Sequence, residues 1–269
     1  MTEKMVTYEV EGDIAVIGLD RAKKRNAIND DLLKQLRDAC FRATEETKAG
    51  VIFGHGDNFS AGLDLAEALT WMKPGSASPR RRRGRWHRPF DLIARGPIPF
   101  VAALKGACIG GGLELASACH IRVADETTFF ALPEGQRGIF VGGGGSVRIA
   151  RLVSVARMAD MMLTGRVLSA EEAERCNFVQ YLTGPGEALA KAKDLAARIA
   201  ENPPLSNYAI TNALPRMQDL SHDDALFMES LMAAFTQTTP DAGERLRAFL
   251  DKRAERLVAP PSTDKDDKA

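Results

Sequence analysis

Residues 104–115 read Leu104-Lys105-Gly106-Ala107-Cys108-Ile109-Gly110-Gly111-Gly112-Leu113-Glu114-Leu115, with three consecutive glycines between an apolar run and a helix-forming one. The run 98–104 has the character of a buried strand and 113–119 that of a helix. Glycines at such a corner let the backbone turn sharply and let a ligand approach main-chain N–H groups without side-chain clash. The helix N-terminus adds unpaired donors and a partial positive charge, which suits a bound phosphate or a developing oxyanion. The dinucleotide fingerprint needs a further glycine where Leu115 stands after Gly110 and Gly112, and the Gly-Lys-Ser/Thr of a P-loop is absent. The oxyanion reading is therefore ahead. Glu114, one turn into the helix, sits beside the donors where it could handle a proton. The alternative is a glycine-rich helix start with a solvated Glu114.

The chain has 269 residues, 45% of them hydrophobic, enough for one large domain or a domain with an extension. Lys plus Arg and Asp plus Glu both number 36, and this zero balance argues against nucleic acid as a partner. Four cysteines (Cys40, Cys108, Cys119, Cys176) are widely spaced, with no C-x-x-C pair and no histidine at ligand spacing. They read as free thiols in a reducing, cytoplasmic compartment, with no metal site and no disulfide framework. The N-terminus has no apolar h-region, so no secretory signal is expected. The longest apolar run, 98–119, is broken by Lys105, Glu114 and four glycines, and no membrane span is expected.

Two β-prone runs, 7–10 and 14–19, flank Glu11-Gly12-Asp13 as a hairpin. Asn29 then caps a helix with Asp30 and Asp31 in its first turn and Leu32, Leu33, Leu36, Cys40 and Ala43 on one face. A strand at 51–53 follows, and this alternation predicts an α/β fold. The segment His55-Gly56-Asp57-Asn58-Phe59-Ser60-Ala61-Gly62-Leu63-Asp64-Leu65 is a second glycine-containing corner, with a helix over 65–71. Two such corners could each aim one main-chain N–H at a common point, as an oxyanion hole requires. His55 reads as a turn residue. The stretch 73–95 has the composition of a mobile loop, whose basic run 80–88 is either a lid for a phosphate-bearing ligand or a solvated surface. Strands are expected at 120–124 and 127–131. They lead to Glu134, on a glycine-rich loop and able to share one water with Glu114; its alternative role is capping a turn.

Beyond Ser146 the pattern is helical, over 146–152, 156–163, 169–175 and 187–200, with a capping-box start at Ser169 and a short strand at 178–182. Pro203 and Pro204 mark a boundary, dividing the chain into a core at 1–200, a helical region at 201–259 and a charged, disordered tail at 260–269. Amphipathic helices are expected over 207–214, 223–235 and 241–257. The stripe Met228, Leu231, Met232 and Phe235 reads as core or subunit interface.

Together, four motifs in register resemble the crotonase superfamily of enoyl-CoA hydratases and isomerases. They are Arg25-Asn26-Ala27-Ile28, the corner Phe59 through Leu65, Gly106 through Leu115, and Pro133-Glu134 followed by the glycines 142–145. The resemblance runs over 7–257. It implies a spiral of ββα turns with a C-terminal helical trimerisation region, forming a homotrimer or homohexamer. It implies oxyanion donors at the N–H groups of Leu63 and Gly111, and acid/base work by Glu114 and Glu134. Substrate-binding positions fall on Arg25, Ala27, Ala61, Asp64, Gly142 and Lys252. The implied partner is an acyl-CoA thioester, with no separate cofactor, and the implied reaction is hydration of a 2-enoyl-CoA to a 3-hydroxyacyl-CoA. Rivals are a double-bond isomerase, a hydratase specialised for a functionalised acryloyl or aromatic chain, and a non-catalytic acyl-CoA-binding protein. Gly135, Val141, Arg245 and the basic run 80–88 depart from the family pattern and bear on substrate choice.

Overall fold

The structure is a computed structural model that describes residues 3–71, 79–251 and 253, the side chains of 79–83 excepted. Strands β1 (Val6–Glu11) and β2 (Ile14–Leu19) form the expected hairpin. Helix α1 (Asp30–Glu46) follows, with the Asn29 side chain accepting the Leu32 N–H at its start. Then come β3 (Ala49–Gly54), α2 (Leu65–Trp71), α3 (Pro79–Arg95), β4 (Phe100–Leu104), β5 (Ala107–Ile109) and α4 (Gly111–Ala118). The chain continues through β6 (Ile121–Asp125), β7 (Phe129–Ala131), α5 (Gly145–Val153), α6 (Val155–Thr164), β8 (Val167–Ser169), α7 (Ala170–Arg175), β9 (Tyr181–Thr183) and α8 (Ala188–Ala200). Last are α9 (Pro204–Asn212), α10 (Leu214–Met217), α11 (His222–Gln237) and α12 (Pro240–Leu250). At α7, Ser169 and Glu172 form the capping box.

A six-stranded sheet runs in the order β1-β2-β3-β4-β6-β9, antiparallel only between β1 and β2, and a second sheet runs β5-β7-β8. The central parallel strands read as continuous apolar runs because both faces are covered. Ile14, Val16, Val51, Val101 and Ala103 point to one side, where α8 packs with Ala192, Leu195 and Ala196. Ile17, Leu19, Ile52, Ala102 and Leu104 point to the other, into the larger core shared with α1 and α3. Contacts divide the chain into Met1–Arg216 and Met217–Ala269. The first unit takes in α9, beyond the diproline, where Asn212 Nδ2 donates to Gly96 O at 3.1 Å.

Two expectations are corrected. Residues 79–95 are a helix rather than a mobile loop; 72–78 lie outside the described residues. The physical reason is a stripe at helical spacing, Trp86, Phe90 and Ile93, all buried in the main core, which the density of arginines in the sequence masks in a compositional reading. The helix expected over 241–257 ends at Leu250, with Asp251 as its cap, among the described residues. The proposed tail and Lys252 lie outside the described residues. No helix of the described residues is long and apolar enough to cross a membrane.

Candidate active site

The corner at 59–64 and the corner at 107–111 are stitched together by main chain. Ser60 N donates to Ala107 O at 2.9 Å and Ile109 N donates to Ser60 O at 3.0 Å. Gly62 holds φ at +83°, which turns the chain so that Leu63 N points inward; a Cβ there would overlap Ile109 O. The same imagined Cβ lies 3.0 Å from Gly111 N, and one on Gly111 lies 3.5 Å from Leu63 N, so the two N–H groups are near neighbours. Neither has a hydrogen-bond acceptor among the described residues. Two adjacent, free N–H groups, one at the start of α4, form the geometry that receives a developing oxyanion.

Both corners open on a cavity of about 730 Å³ into which Glu114 and Glu134 face. Glu114 is 3% exposed, and its Oε1 accepts N–H groups from Gly143 at 2.7 Å and Gly145 at 2.9 Å. Burial pushes its carboxyl above the ordinary glutamate range, and the N–H groups of Gly145, Gly143 and Gly142 pull it back. Glu134 is 6% exposed, with its Oε2 buried and unpartnered among the described residues. Burial, assisted by the Glu114 charge, raises it to about 7. The two carboxyls thus differ in support, and the less supported one is the better proton donor near neutrality.

Apart from Arg137, the remaining wall is apolar among the described residues. Leu63, Leu65, Ala68, Leu69 and Trp71 contribute from the α2 side, and Ile139, Phe140 and Val141 from the turn beyond Glu134. That turn folds back because Ile139 N donates to Glu134 O at 3.0 Å. Trp86 of α3 closes the wall, its ring edge 2.6 Å from where a Gly111 Cβ would stand. Helix α3 also holds the loop that grips Glu114: His87 Nε2 is 2.8 Å from Gly142 O, and Phe90 fills the space beside Gly143. Arg148, paired with Asp91 at 3.3 Å, donates to Gly143 O.

Of the residues singled out from the sequence, Leu63, Gly111, Glu114, Glu134 and Gly142 line this cavity. Arg25, Ala27 and Ala61 gather beside it instead: Ala61 N donates to Arg25 O at 2.8 Å, and Ile28 N to Gly62 O at 2.7 Å. Asp64 does not line it; its carboxylate pairs with Arg21 at 3.1 Å and caps α2 through the Ala66 N–H. His55 is held by Thr7 Oγ1 at 2.9 Å, and Arg85 pairs with Asp30. Trp86, His87 and Arg148 were not marked by the sequence as site residues; the apolar spacing of Trp86, Phe90 and Ile93 was the available signal. Among the described residues no cluster of His, Cys, Asp or Glu could hold a metal ion.

Comparison with known proteins shows what this architecture is similar to. The family described as enoyl-CoA hydratase/isomerase matches residues 9–257. A short-chain-enoyl-CoA hydratase of Clostridium acetobutylicum is 32% identical over 256 residues, spanning 92% of this chain and 95% of that one. A crotonyl-CoA hydratase of Syntrophomonas wolfei is 32% identical, spanning 96% of this chain and all of its own. Among solved structures, a Rhodopseudomonas palustris protein carrying the name enoyl-CoA hydratase is 49% identical, with TM-score 0.86 over 93% of this chain and 95% of that one. An enoyl-CoA hydratase of Thermoplasma volcanium is 32% identical, with TM-score 0.84 over 91% and 97%.

Proposed function

The chain belongs to the enoyl-CoA hydratase/isomerase family and has its crotonase-like α/β fold, and on that premise we propose that it hydrates a 2-enoyl-CoA thioester to the 3-hydroxyacyl-CoA. The observation that carries this is the pairing of two buried, unequally supported glutamates with two adjacent free N–H groups on one cavity.

The thioester oxygen sits between Leu63 N and Gly111 N, which take up the enolate charge as water attacks the β-carbon. A single donor of this kind typically lowers the barrier by about 2.7 to 4 kcal/mol. Glu114, with its charge supported by the glycine N–H groups, holds the water and takes its proton. Glu134, protonated in part at neutral pH, delivers a proton to the α-carbon. An isomerase would need one proton carrier only, and the elaborate support of Glu114 favours the hydratase.

The CoA portion lies along Arg25, Ala27 and Ala61. The free thiols agree with a cytoplasmic site of action. Helix α11 buries none of its residues and presents Leu226, Phe227, Leu231 and Phe235 to its surroundings, which supports the C-terminal helices as the trimer contact. Sedimentation of a stable monomer would contradict that.

The test is the loss of conjugated-thioester absorbance on adding the protein to a 2-enoyl-CoA, with Glu114→Gln and Glu134→Gln alongside. Loss that needs both carboxyls supports hydration. Activity surviving in both single variants sinks the assignment.

A further inference from the structure

The cavity is larger and more apolar than a four-carbon acyl group requires. Its volume of about 730 Å³ falls in the range that encloses drug-sized ligands, of roughly 300 to 1,000 Å³. Arg25, Ala27 and Ala61, proposed above for the CoA portion, lie outside the lining. Apart from the two glutamates, the only charged side chain in the wall among the described residues is Arg137.

The wall also continues outward as exposed apolar surface. Leu69 on α2 is 65% exposed and Phe140 on the turn after Glu134 is 69% exposed. Both line the same cavity, and they flank it from elements on opposite sides of the catalytic pair in sequence. Trp86 stands at the inner end, beside Gly111, held edge-to-face on Phe90 with ring centroids 5.9 Å apart. An apolar path therefore leads from the oxyanion donor to the rim. Large exposed side chains at the rim of a binding cavity are covered when a ligand of matching character extends that far.

We propose that the preferred substrate carries an apolar acyl group extended well beyond the β-carbon, longer than crotonyl, and that Leu69 and Phe140 select it. This deepens the hydratase reading and rests on it. Among the described residues Arg137 is the one cation in the wall, set among apolar side chains that a polar acyl chain would leave unsatisfied, and a crotonyl group leaves both rim residues uncovered. The shared chemistry is bulk and apolarity, which a flexible alkyl chain or an aryl ring would supply.

The experiment compares kcat/KM for trans-2-decenoyl-CoA, cinnamoyl-CoA and crotonyl-CoA in the full chain, and repeats the series in a Leu69→Asn, Phe140→Ser double variant. Both sites are exposed, so the variant should keep its fold, which its thermal melt checks. A preference of about tenfold or more for decenoyl-CoA or cinnamoyl-CoA over crotonyl-CoA is expected, falling by about tenfold in the variant. Whichever of the two is favoured identifies chain or ring. Crotonyl-CoA hydrated as well as both larger thioesters overturns the inference and leaves the hydratase reading intact. An unchanged preference in the variant overturns the role of the rim. Should none of the three be hydrated, the hydratase reading fails, and calorimetric binding of decanoyl-CoA against butyryl-CoA decides the pocket's preference: tighter decanoyl-CoA supports it and equal affinity overturns it.

Discussion

Glu114 Oε1 accepts the Gly143 N–H at 2.7 Å, across 29 residues of chain. The same Gly143 offers its carbonyl to Arg148, so one residue is gripped through both of its flanking peptide groups and the carboxylate of α4 is aimed by the loop before α5.

Arg148→Met should release that carbonyl and loosen the aim of Glu114. Because the residue acts through the loop and does not touch the reacting atoms, kcat is expected to fall about tenfold with KM little changed. Steady-state kinetics on a 2-enoyl-CoA checks this. A raised KM at constant kcat would place Arg148 in binding instead.

Replacing either glutamate should be far more costly to rate than to stability. Glutamine keeps the shape, and at 114 its carbonyl oxygen accepts the same two N–H bonds. Each single variant is expected to lose about 10² to 10⁴ in kcat, with a melting temperature near that of the parent. The double variant should lose much less than the product of the two, since the pair acts on one water.

Stability should carry the mark of Glu134. Its carboxyl titrates near 7 in the folded chain against an ordinary value of 4.5, so the folded state holds an extra proton between those pH values. The contribution is complete below 4.5 and is lost as pH rises through 7. Relative to Glu134→Gln, the parent should lose about 2 kcal/mol over that interval, read as the pH dependence of denaturant unfolding. Hydration should decline above about pH 7 for the same reason, with apparent values that belong to the coupled pair.

Two glycine substitutions should behave oppositely. Gly62→Ala forces a side chain into a left-handed backbone against Ile109 O, and should cost about 2 kcal/mol or more while displacing Leu63 N. Gly84→Ala meets nothing within 4 Å and sits inside α3, so it should stabilise by up to about 1 kcal/mol. Thermal melts of the two purified variants decide it.

What the sequence made legible follows from how local each signal is. The Asn29 cap, the Ser169 capping box and the buried strands announce themselves within a few residues, and the structure places them there. The three-residue strands β5 and β8 carry too few residues for a period to emerge. Helix α3 was hidden because arginines crowd its sequence, Arg85 and Arg88 lying exposed, while its buried apolar stripe is only three residues long. At the site, the glycine corners and both glutamates were marked by local chemistry. The wall they share was not, because Leu69, Trp86 and Phe140 come from three separated segments that only tertiary packing brings together.

The two free donors at the cavity are main-chain N–H groups, and the apolar surfaces that line it are side chains of α2, α3 and the turn at 139–141. No codon change short of one to proline deletes a peptide N–H, yet many can resize Leu69, Trp86 or Phe140 one at a time. Heritable variation therefore reaches the chain's taste in substrates by single steps while leaving its oxyanion chemistry in place, and a lineage built on this framework can diversify in what it hydrates before it changes how.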